Sequence, residues 1–314
     1  MSVSDAGEFG LIARVVSRLG SPAPPAGPGD DAAVVPTPSG SVIVTTDLLV
    51  EGRHFRFDWS SPYDIGRKAA AQSLADVAAM GAIPTALLLG LACPPSTPIE
   101  VVDGIADGLR DECALVGAVV VGGDMVSASE VCLAVTALGD LAGRAPLTRA
   151  GARPGESIVL AGTVGRSAAG LDLLLSGVRD GPLVDAHRRP SPPYRAGPAL
   201  ARAGASALMD VSDGLLADLG HLATASGVVC EVDADALRAL VPGVAVRHLL
   251  TGGEDHGLVG TMPAGADLPE SVAVIGRVLA AAPPERRGGV RVVGEGVPPD
   301  PGGGVPRGWE HFRA

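Results

Sequence analysis

Short apolar runs alternate with amphipathic stretches along the whole chain, and Gly, Pro or an acidic residue ends most of these runs. In the first half, runs rich in Val, Ile and Leu predict strands, and Ala-rich or helically spaced segments predict helices. A Pro-Ser-Gly turn between the first two strands predicts a hairpin. The predicted elements of this half are strands at 32–36, 41–50, 85–92, 118–124 and 131–140 and helices at 63–80 and 99–116.

The second half repeats this alternation more loosely. Residues 142–156 are irregular and have little to bury, which favours a domain boundary there, and the Gly-, Pro- and Arg-rich region 280–308 predicts loops. We therefore predict an α/β (α+β) protein of two domains, residues 1–145 and 146–314. The elements predicted in the second half are strands at 157–162 and 207–213 and helices at 167–175 and 214–226.

Composition limits the partners of such a protein. The 314 residues amount to about two domains of ordinary size. Twenty-four basic and 35 acidic side chains give a net charge of −11, and only 3% of the residues are aromatic. A nucleic-acid-binding surface needs basic side chains and stacking rings, so we expect no nucleic-acid partner. An acidic surplus instead favours a protein that collects cations.

The chain also lacks the signals of a membrane or secreted protein. The longest apolar run, near Ala86 to Cys93, is bracketed by prolines and is well below the roughly 18 residues that a spanning helix needs. Asp5 and Glu8 stand where a secretory leader would be basic and then apolar. The four cysteines form no CxxC pair, so we expect reduced, buried thiols and a cytoplasmic location. They are Cys93, Cys113, Cys132 and Cys230.

Acidic residues at strand ends and on apolar faces are the strongest chemical signal. Asp47, Asp124 and Asp210 each follow an apolar run, where α/β proteins usually place ligand sites. Asp76 interrupts a mostly apolar helix face, which indicates a capping residue, an ion pair or a metal ligand. The acidic positions singled out in this way are Asp30, Asp47, Asp76, Asp124, Asp210, Asp213 and Glu254.

The sequence leaves open whether these carboxylates converge or stay scattered. Two of them about 4 Å apart would repel by roughly 4 kcal/mol at an effective dielectric of about 20, so convergence requires bound cations. Hard oxygen ligands beside the Thr45 and Thr46 hydroxyls favour magnesium over zinc.

Glycines before several of these acids indicate phosphate binding. Gly29, Gly123 and Gly253 each precede an acidic residue, and glycine permits close approach of a phosphate to backbone N–H groups. Gly-Asp pairs are also ordinary turn chemistry, so each pair alone is a weak signal. The chain has no GxxxxGK[ST] loop, and Lys68 is its only lysine, which excludes P-loop and protein-kinase mechanisms.

Eight motifs, in order along nearly the whole chain, carry a family resemblance. They are GDDAAVV (29–35), TTDLLVEGRHF (45–55), KAAAQSLADVAAMGA (68–82), VGGD (121–124), LTRAGARPGE (147–156), DVSDGL (210–215), GGEDHGL (252–258) and GWEHF (308–312). Together they resemble the thiamine-monophosphate kinases, which belong to the ATP-binding superfamily that includes aminoimidazole ribonucleotide synthetase.

This resemblance implies direct transfer of the ATP γ-phosphoryl group to thiamine monophosphate, giving thiamine diphosphate without a phosphoenzyme. It also implies an N-terminal mixed-sheet domain that pairs in a homodimer and a C-terminal α/β domain. The implied ligands of several Mg²⁺ ions are Asp30, Thr45, Thr46, Asp47, Asp76, Asp124, Asp210 and Asp213. The implied nucleotide contacts are Gly123, Asp124, Arg149 and Ser212, and the implied thiamine-phosphate contacts are His54, Glu254 and Trp309.

Three of these residues also have plainer interpretations. His54 suits a solvent-exposed loop, Arg149 an interdomain ion pair, and Trp309 an anchor for the C-terminal tail. The chain departs from the family pattern at His256, where an aromatic residue is common, and at Ala106, where we expect a nucleotide-side tyrosine. The resemblance therefore assigns no contact to adenine.

Alternative functions remain open at this point. One is another ATP-dependent phosphoryl transfer in the same superfamily, although the Cys and Lys of selenophosphate synthetases and the Cys-bearing tail of hydrogenase-maturation relatives are missing here. Another is a non-catalytic sensor of magnesium nucleotide. The number of carboxylates favours catalysis over sensing.

Overall fold

The computed structural model describes residues 14, 17–18, 37, 40–281 and 288–295. These residues form two compact units. The first comprises the described residues up to Val77 and from Ala82 to Gly143, and the second comprises Ala78–Gly81 and those from Arg144 onward. Among the described residues, no helix combines the length and the apolar character needed to cross a membrane.

The first unit contains a four-stranded mixed sheet in the order β1-β4-β2-β3. β4 pairs antiparallel with β1 on one side and with β2 on the other, whereas β2 and β3 are parallel. The outer strands β1 and β3 are therefore separated by two others. The elements are β1 (Ile43–Val50), α1 (Pro62–Ala79), β2 (Ile83–Cys93), α2 (Ile99–Ala114), β3 (Val119–Ser127) and β4 (Cys132–Asp140).

Close packing explains several features of this unit. Ile65, Ala69 and Leu74 of α1 are fully buried, whereas Gln72 and Asp76 are half-buried. Asp76 follows Ile65 by 11 residues and Ala69 by seven, so it shares their helix face, and its half-buried carboxylate interrupts an otherwise buried apolar stripe as predicted. The short alanines still favour the helix and permit its tight packing.

The second unit is built on a six-stranded sheet in the order β10-β7-β9-β5-β8-β6. Its only parallel pair among the described strands is β10 with β7. The elements are β5 (Ser157–Ala161), α3 (Arg166–Leu175), α4 (Pro182–Arg188), α5 (Ala196–Arg202), β6 (Ala207–Asp210), α6 (Leu215–Ser226), β7 (Val228–Asp233), α7 (Ala234–Leu240), α8 (Val246–Thr251), β8 (Leu258–Met262), β9 (Val272–Ala280) and β10 (Gly289–Val293).

The core of the second unit lies between α6 and this sheet. Leu215, Leu219 and Leu222 of α6 are fully buried and share one apolar cluster with Val259 of β8 and Ile275 of β9. Because β6 leads directly into α6, this packing fixes the loop that connects them, which carries several of the acidic residues.

The two-domain α/β class is confirmed, and two local expectations are corrected. The hairpin stays a prediction, because β1 pairs with β4 on one side and the proposed hairpin partner 32–36 lies outside the described residues. Residues 289–293 form a strand because alternating Val290 and Val292 pack against the core, although their Gly- and Arg-rich surroundings predicted loop. Asp47 and Asp124 lie inside β1 and β3, and only Asp210 ends its strand.

All four cysteines are free, as expected. Cys93, Cys113 and Cys230 are buried and Cys132 is half-buried. Burial raises the pKa of the Cys113 and Cys230 thiols to about 12. These thiols are therefore protonated and unreactive at neutral pH.

Candidate active site

In the first unit, β1 and α1 bring two of the acidic residues together. The Thr45 hydroxyl donates to Asp76 Oδ2 at 2.7 Å, and the Ser73 hydroxyl donates to Asp47 Oδ2 at 2.7 Å. Thr45 and Asp47 are two residues apart on a strand, and Ser73 and Asp76 are three apart on a helix, so each pair lies on one face. We call these four residues, Thr45, Asp47, Ser73 and Asp76, the β1–α1 seam.

Thr46 lies on the opposite face of β1. It is exposed, whereas Thr45 and Asp47 are half-buried, and its hydroxyl accepts a hydrogen bond from Thr136 of β4 at 3.1 Å. Within this chain Thr46 is therefore directed away from the β1–α1 seam.

Asp124 lies on β3, at the other edge of the same sheet. It is exposed, is in register with Gly90, and its carboxylate accepts a hydrogen bond from the Met125 amide at 2.9 Å. Three strand spacings separate β3 from β1, which corresponds to about 14 Å. The fold of one chain therefore does not bring Asp124 to Asp47.

The neighbouring Gly123 has a clear packing role. A Cβ atom at this position would lie 1.9 Å from the Leu89 carbonyl oxygen of β2. Only glycine allows the two strands to approach this closely. This requirement explains the glycine whether or not a phosphate approaches it.

His54 is held in the turn after β1. Its Nδ1 accepts a hydrogen bond from the Val50 amide at 3.0 Å, and its backbone carbonyl accepts one from the buried Lys68 ammonium at 3.1 Å. Because Nδ1 accepts, the neutral ring carries its proton on Nε2. The structure thus makes His54 a fixed side chain and not a mobile loop residue.

In the second unit, two loops lie side by side. The segment 211–214 follows β6, and the segment 252–257 precedes β8. The Val211 amide donates to the Gly257 carbonyl at 2.8 Å, and the Glu254 amide donates to the Ser212 carbonyl at 2.9 Å. A Cβ atom at Gly253 would lie 2.1 Å from that same Ser212 oxygen, so this contact requires glycine. The DVSD and GGED motifs therefore form one surface.

Three carboxylates cluster at the start of α6. Asp218 accepts hydrogen bonds from the Asp213 and Gly214 amides, both at 3.1 Å. Burial first, and then the charges of Asp210 and Asp213, raise the pKa of Asp218 to about 7. Sequence reasoning missed Asp218, although its position in the first turn of a helix that follows DVSDG was the available signal.

Asp210 is paired with His256. Nδ1 of His256 lies 3.1 Å from Asp210 Oδ2, and both side chains are buried. The sequence singled out His256 only as a departure from the family pattern, since Asp210 is 46 residues away in the chain.

Asp255 anchors the 252–257 loop to the N-terminus of α3. It accepts hydrogen bonds from the Ser167 amide at 3.0 Å, the Arg166 amide at 3.2 Å and the Thr163 hydroxyl at 3.2 Å. Burial raises the pKa of Asp255 to about 6 against the opposing effect of these bonds. The residues on either side have left-handed backbones, with φ of 64° at Glu254 and 54° at His256. Such strain persists only where the surroundings hold it.

Glu254 lies beside a second buried histidine. His187 Nδ1 is 3.7 Å from Glu254 Oε2 and 3.0 Å from the Ser167 hydroxyl. Ser167 and His187 are 0% and 4% exposed, so this pair cannot reach a phosphate group as a nucleophile and base would. The glutamate itself remains partly exposed on the loop surface.

Arg149 does not join this surface within the second unit. Its side chain is exposed, and its backbone carbonyl accepts a hydrogen bond from Ser226 at the end of α6. Asp213 precedes the start of α6, and a helix of 12 residues is about 18 Å long. Asp30 and Trp309 lie outside the described residues.

The donor chemistry of both units suits magnesium. Among the described residues no group of three His, Cys, Asp or Glu side chains is arranged to hold a metal ion. Mg²⁺ does not need such a cage, because it usually takes one or two carboxylates and completes its shell with water and substrate phosphates. The pairs Asp47–Asp76 and Asp210–Asp213 supply that number of hard oxygen donors.

Comparison with known proteins identifies related domains over most of the chain. Residues 29–141 match the model of the AIR synthase related protein N-terminal domain, and residues 153–286 match that of the C-terminal domain. A curated thiamine-monophosphate kinase of Mycobacterium tuberculosis is 46% identical over 285 residues, which cover 87% of this chain and 85% of that protein.

Solved structures are also similar to this chain over most of its length. The crystal structure of thiamine-monophosphate kinase from Stenotrophomonas maltophilia K279a has a TM-score of 0.77 and 33% identity, and covers 91% of this chain and 96% of its own. AaThiL complexed with AMPPCP and TMP has a TM-score of 0.75 and 32% identity, and covers 99% of each chain.

Proposed function

Since this chain belongs to the thiamine-monophosphate kinase family, we propose that it transfers the γ-phosphoryl group of ATP to the phosphate of thiamine monophosphate, the last step in making thiamine diphosphate. The observation that carries this proposal is the identity to a curated kinase over most of both chains. The same comparison confirms the family indicated by the eight sequence motifs.

Magnesium is the cofactor that the acidic residues support. In the first unit Asp47 and Asp76, with Thr45, would hold it, and in the second Asp210 and Asp213 would do so. The family resemblance adds Asp30, Thr46 and Asp124. Bound magnesium neutralises the charge that develops on transferred phosphoryl oxygens. The chain itself holds the carboxylates of Asp47 and Asp76 in place by hydrogen bonds from Ser73 and Thr45, respectively.

The remaining residues are proposed to position the two substrates. Gly123, Asp124, Arg149 and Ser212 would contact the nucleotide, and the exposed guanidinium of Arg149 suits phosphate oxygens. His54, Glu254 and Trp309 would contact thiamine monophosphate. The hydrogen bond from the Val50 amide to Nδ1 holds the His54 ring in place for such a contact.

Direct transfer without a phosphoenzyme fits the described residues. The Ser167–His187 pair has the geometry of an activated nucleophile but is buried, so it does not offer a covalent route. Catalysis would then depend on positioning and on charge neutralisation.

A homodimer is the assembly that the first unit favours. Val44 and Leu48 on the outer face of β1 are 62% and 56% exposed, and Val126 of β3 is 56% exposed. Exposed aliphatic side chains on one sheet favour contact with another apolar surface. Thr46 lies on the same face of β1, and Asp124 lies at the far edge of the sheet. A partner copy packed against this face would therefore place its own residues near Thr46 and near Asp124.

We place the enzyme in the cytoplasm, because its four cysteines are free and cytoplasmic proteins keep thiols reduced.

Phosphorus NMR tests the reaction directly. The purified protein is incubated with Mg-ATP and thiamine monophosphate, and ADP and thiamine diphosphate should appear together at equal rates. Asp47→Asn is the matched inactive control, since it removes one carboxylate charge and keeps the shape of the side chain. Release of inorganic phosphate without thiamine diphosphate, or no turnover at all, would refute the kinase assignment and favour a nucleotide sensor.

A further inference from the structure

A buried histidine holds one of the acidic residues of the second unit. His256 and Asp210 have side chains only 6% and 8% exposed, and Nδ1 lies 3.1 Å from Oδ2. Asp210 ends β6 and is in register with Leu258 at the start of β8. The pair therefore connects the DVSD loop to the GGED loop through side chains as well as through the backbone.

Hydrogen bonds hold the main chain on both sides of His256 and so restrict the position of its ring. The His256 amide donates to the Val211 carbonyl at 3.2 Å, and Gly257 accepts from the Val211 amide at 2.8 Å. On the other side, Asp255 is bonded to the N-terminus of α3. The left-handed conformation of His256, with φ of 54°, aims its side chain at Asp210 and not at the solvent.

Asp210 lies among other carboxylates, which gives the hydrogen bond from His256 a compensating role. Asp210 and Asp213 both act electrostatically on the buried Asp218. A buried carboxylate among other carboxylates is costly unless a donor or a cation compensates it. The bond from His256 engages Oδ2 and restricts rotation of the carboxylate, and its other oxygen, Oδ1, would take the cation.

We propose that His256 is a positioning residue that orients Asp210 to bind a divalent cation. It acts through Asp210 and touches neither substrate. Partners that hydrogen-bond to metal-binding side chains orient those side chains, and their loss typically weakens metal affinity about 10- to 100-fold. This inference rests on the proposed function only in taking Asp210 to be a metal ligand.

The test measures metal binding without turnover. Mn²⁺ replaces Mg²⁺, and electron paramagnetic resonance of free Mn²⁺ gives its dissociation constants for the full-length protein. His256→Phe removes the donor and keeps a ring, whereas His256→Asn retains an N–H donor near the Nδ1 position and tolerates a positive φ. We expect about 10-fold weaker Mn²⁺ binding at one site in His256→Phe, and near wild-type binding in His256→Asn.

The matched control is a second His–Asp pair in the same unit. His248 Nε2 lies 2.9 Å from Asp172 Oδ2, at the surface and outside the proposed site. His248→Phe should leave every Mn²⁺ dissociation constant unchanged. Circular dichroism and a urea midpoint verify folding, and His256→Ala replaces His256→Phe if the larger ring does not fold.

The possible results separate this inference from the function on which it rests. Wild-type Mn²⁺ affinity in a folded donor-less variant would overturn the role of His256 alone. Equal weakening in His256→Phe and His256→Asn would also overturn it, because the donor would then not matter. Failure of the wild-type protein to bind Mn²⁺ would overturn the metal role of Asp210 and this inference with it, whereas the NMR assay decides kinase activity separately.

Discussion

The Ser73 hydroxyl on α1 donates to the Asp47 carboxylate on β1 at 2.7 Å, and this bond joins the two elements that carry Asp47 and Asp76. Ser73 is fully buried and also lies 3.2 Å from the Val135 carbonyl. A short side chain at this point thus sets the distance between a helix and an edge strand.

Ser73→Ala should lower both stability and turnover. Removing a donor from a carboxylate costs about 1.5–3 kcal/mol of unfolding free energy, and a freely rotating Asp47 should reduce kcat at saturating Mg²⁺. Thr85→Val is the matched control, because Thr85 donates to the Leu138 carbonyl at 3.2 Å in the same sheet and has no predicted site role. Urea unfolding and steady-state kinetics measure the two effects. Equal kcat in both variants would contradict the role of Ser73.

Asp218→Asn should change how stability depends on pH in the metal-free protein. Folding raises the pKa of this carboxyl to about 7, chiefly by burial and then through Asp210 and Asp213. The folded state therefore keeps a proton that the unfolded state has lost, and this stabilising effect, complete below about pH 4, is lost as the pH rises to about 7.

Asparagine cannot ionise, so Asp218→Asn should remove this decline and unfold at higher urea than wild type at pH 8. The difference should be a few kcal/mol at most. Urea midpoints at several pH values in EDTA give the result. Parallel curves for wild type and variant would show that the carboxyl titrates normally.

Asp255→Ala should detach the 252–257 loop from α3. The buried Ser167 amide and the half-buried Arg166 amide lose their acceptor, and each unsatisfied buried group costs about 1–3 kcal/mol. Asp233→Ala is the control, since Asp233 caps α7 through the Asp235 and Ala236 amides away from the proposed site. That cap should cost about 1 kcal/mol without changing kinetics. The KM for thiamine monophosphate should rise only in Asp255→Ala, and unchanged kinetics there would rule out an anchoring role.

Leu48→Glu should dissociate the proposed homodimer. A carboxylate on the apolar outer face of β1 would be buried against a partner copy, which is strongly unfavourable. Leu175→Glu is the comparison, because Leu175 is 66% exposed at the end of α3 in the second unit. Light scattering after size exclusion measures the mass. A monomeric wild type, or a dimeric Leu48→Glu, would refute pairing through this face.

Local sequence patterns were sufficient to predict a strand or a helix whose formation depends mainly on its own residues. The expected strand at 41–50 and helix at 63–80 appear as β1 and α1, since their periodicities and compositions are strong. The strand at 289–293 was missed because five residues flanked by glycines carry too little periodic signal. Among the residues of the proposed site, Asp47, Asp76, Asp210 and Asp213 carry an individual sequence signal, whereas Ser73, Asp218 and Asp255 were not singled out.

The amino-acid sequence by itself determined the fold class, the family and most of the acidic residues that are candidates for the site. These follow from periodicity and from motifs in a fixed order along the chain. Only the tertiary structure decided which groups meet. Asp255 caps a helix that begins 89 residues earlier in the chain, and His256 reaches Asp210 across 46 residues. Such contacts arise when packing brings distant strands and loops together, and no local spacing encodes that arrangement.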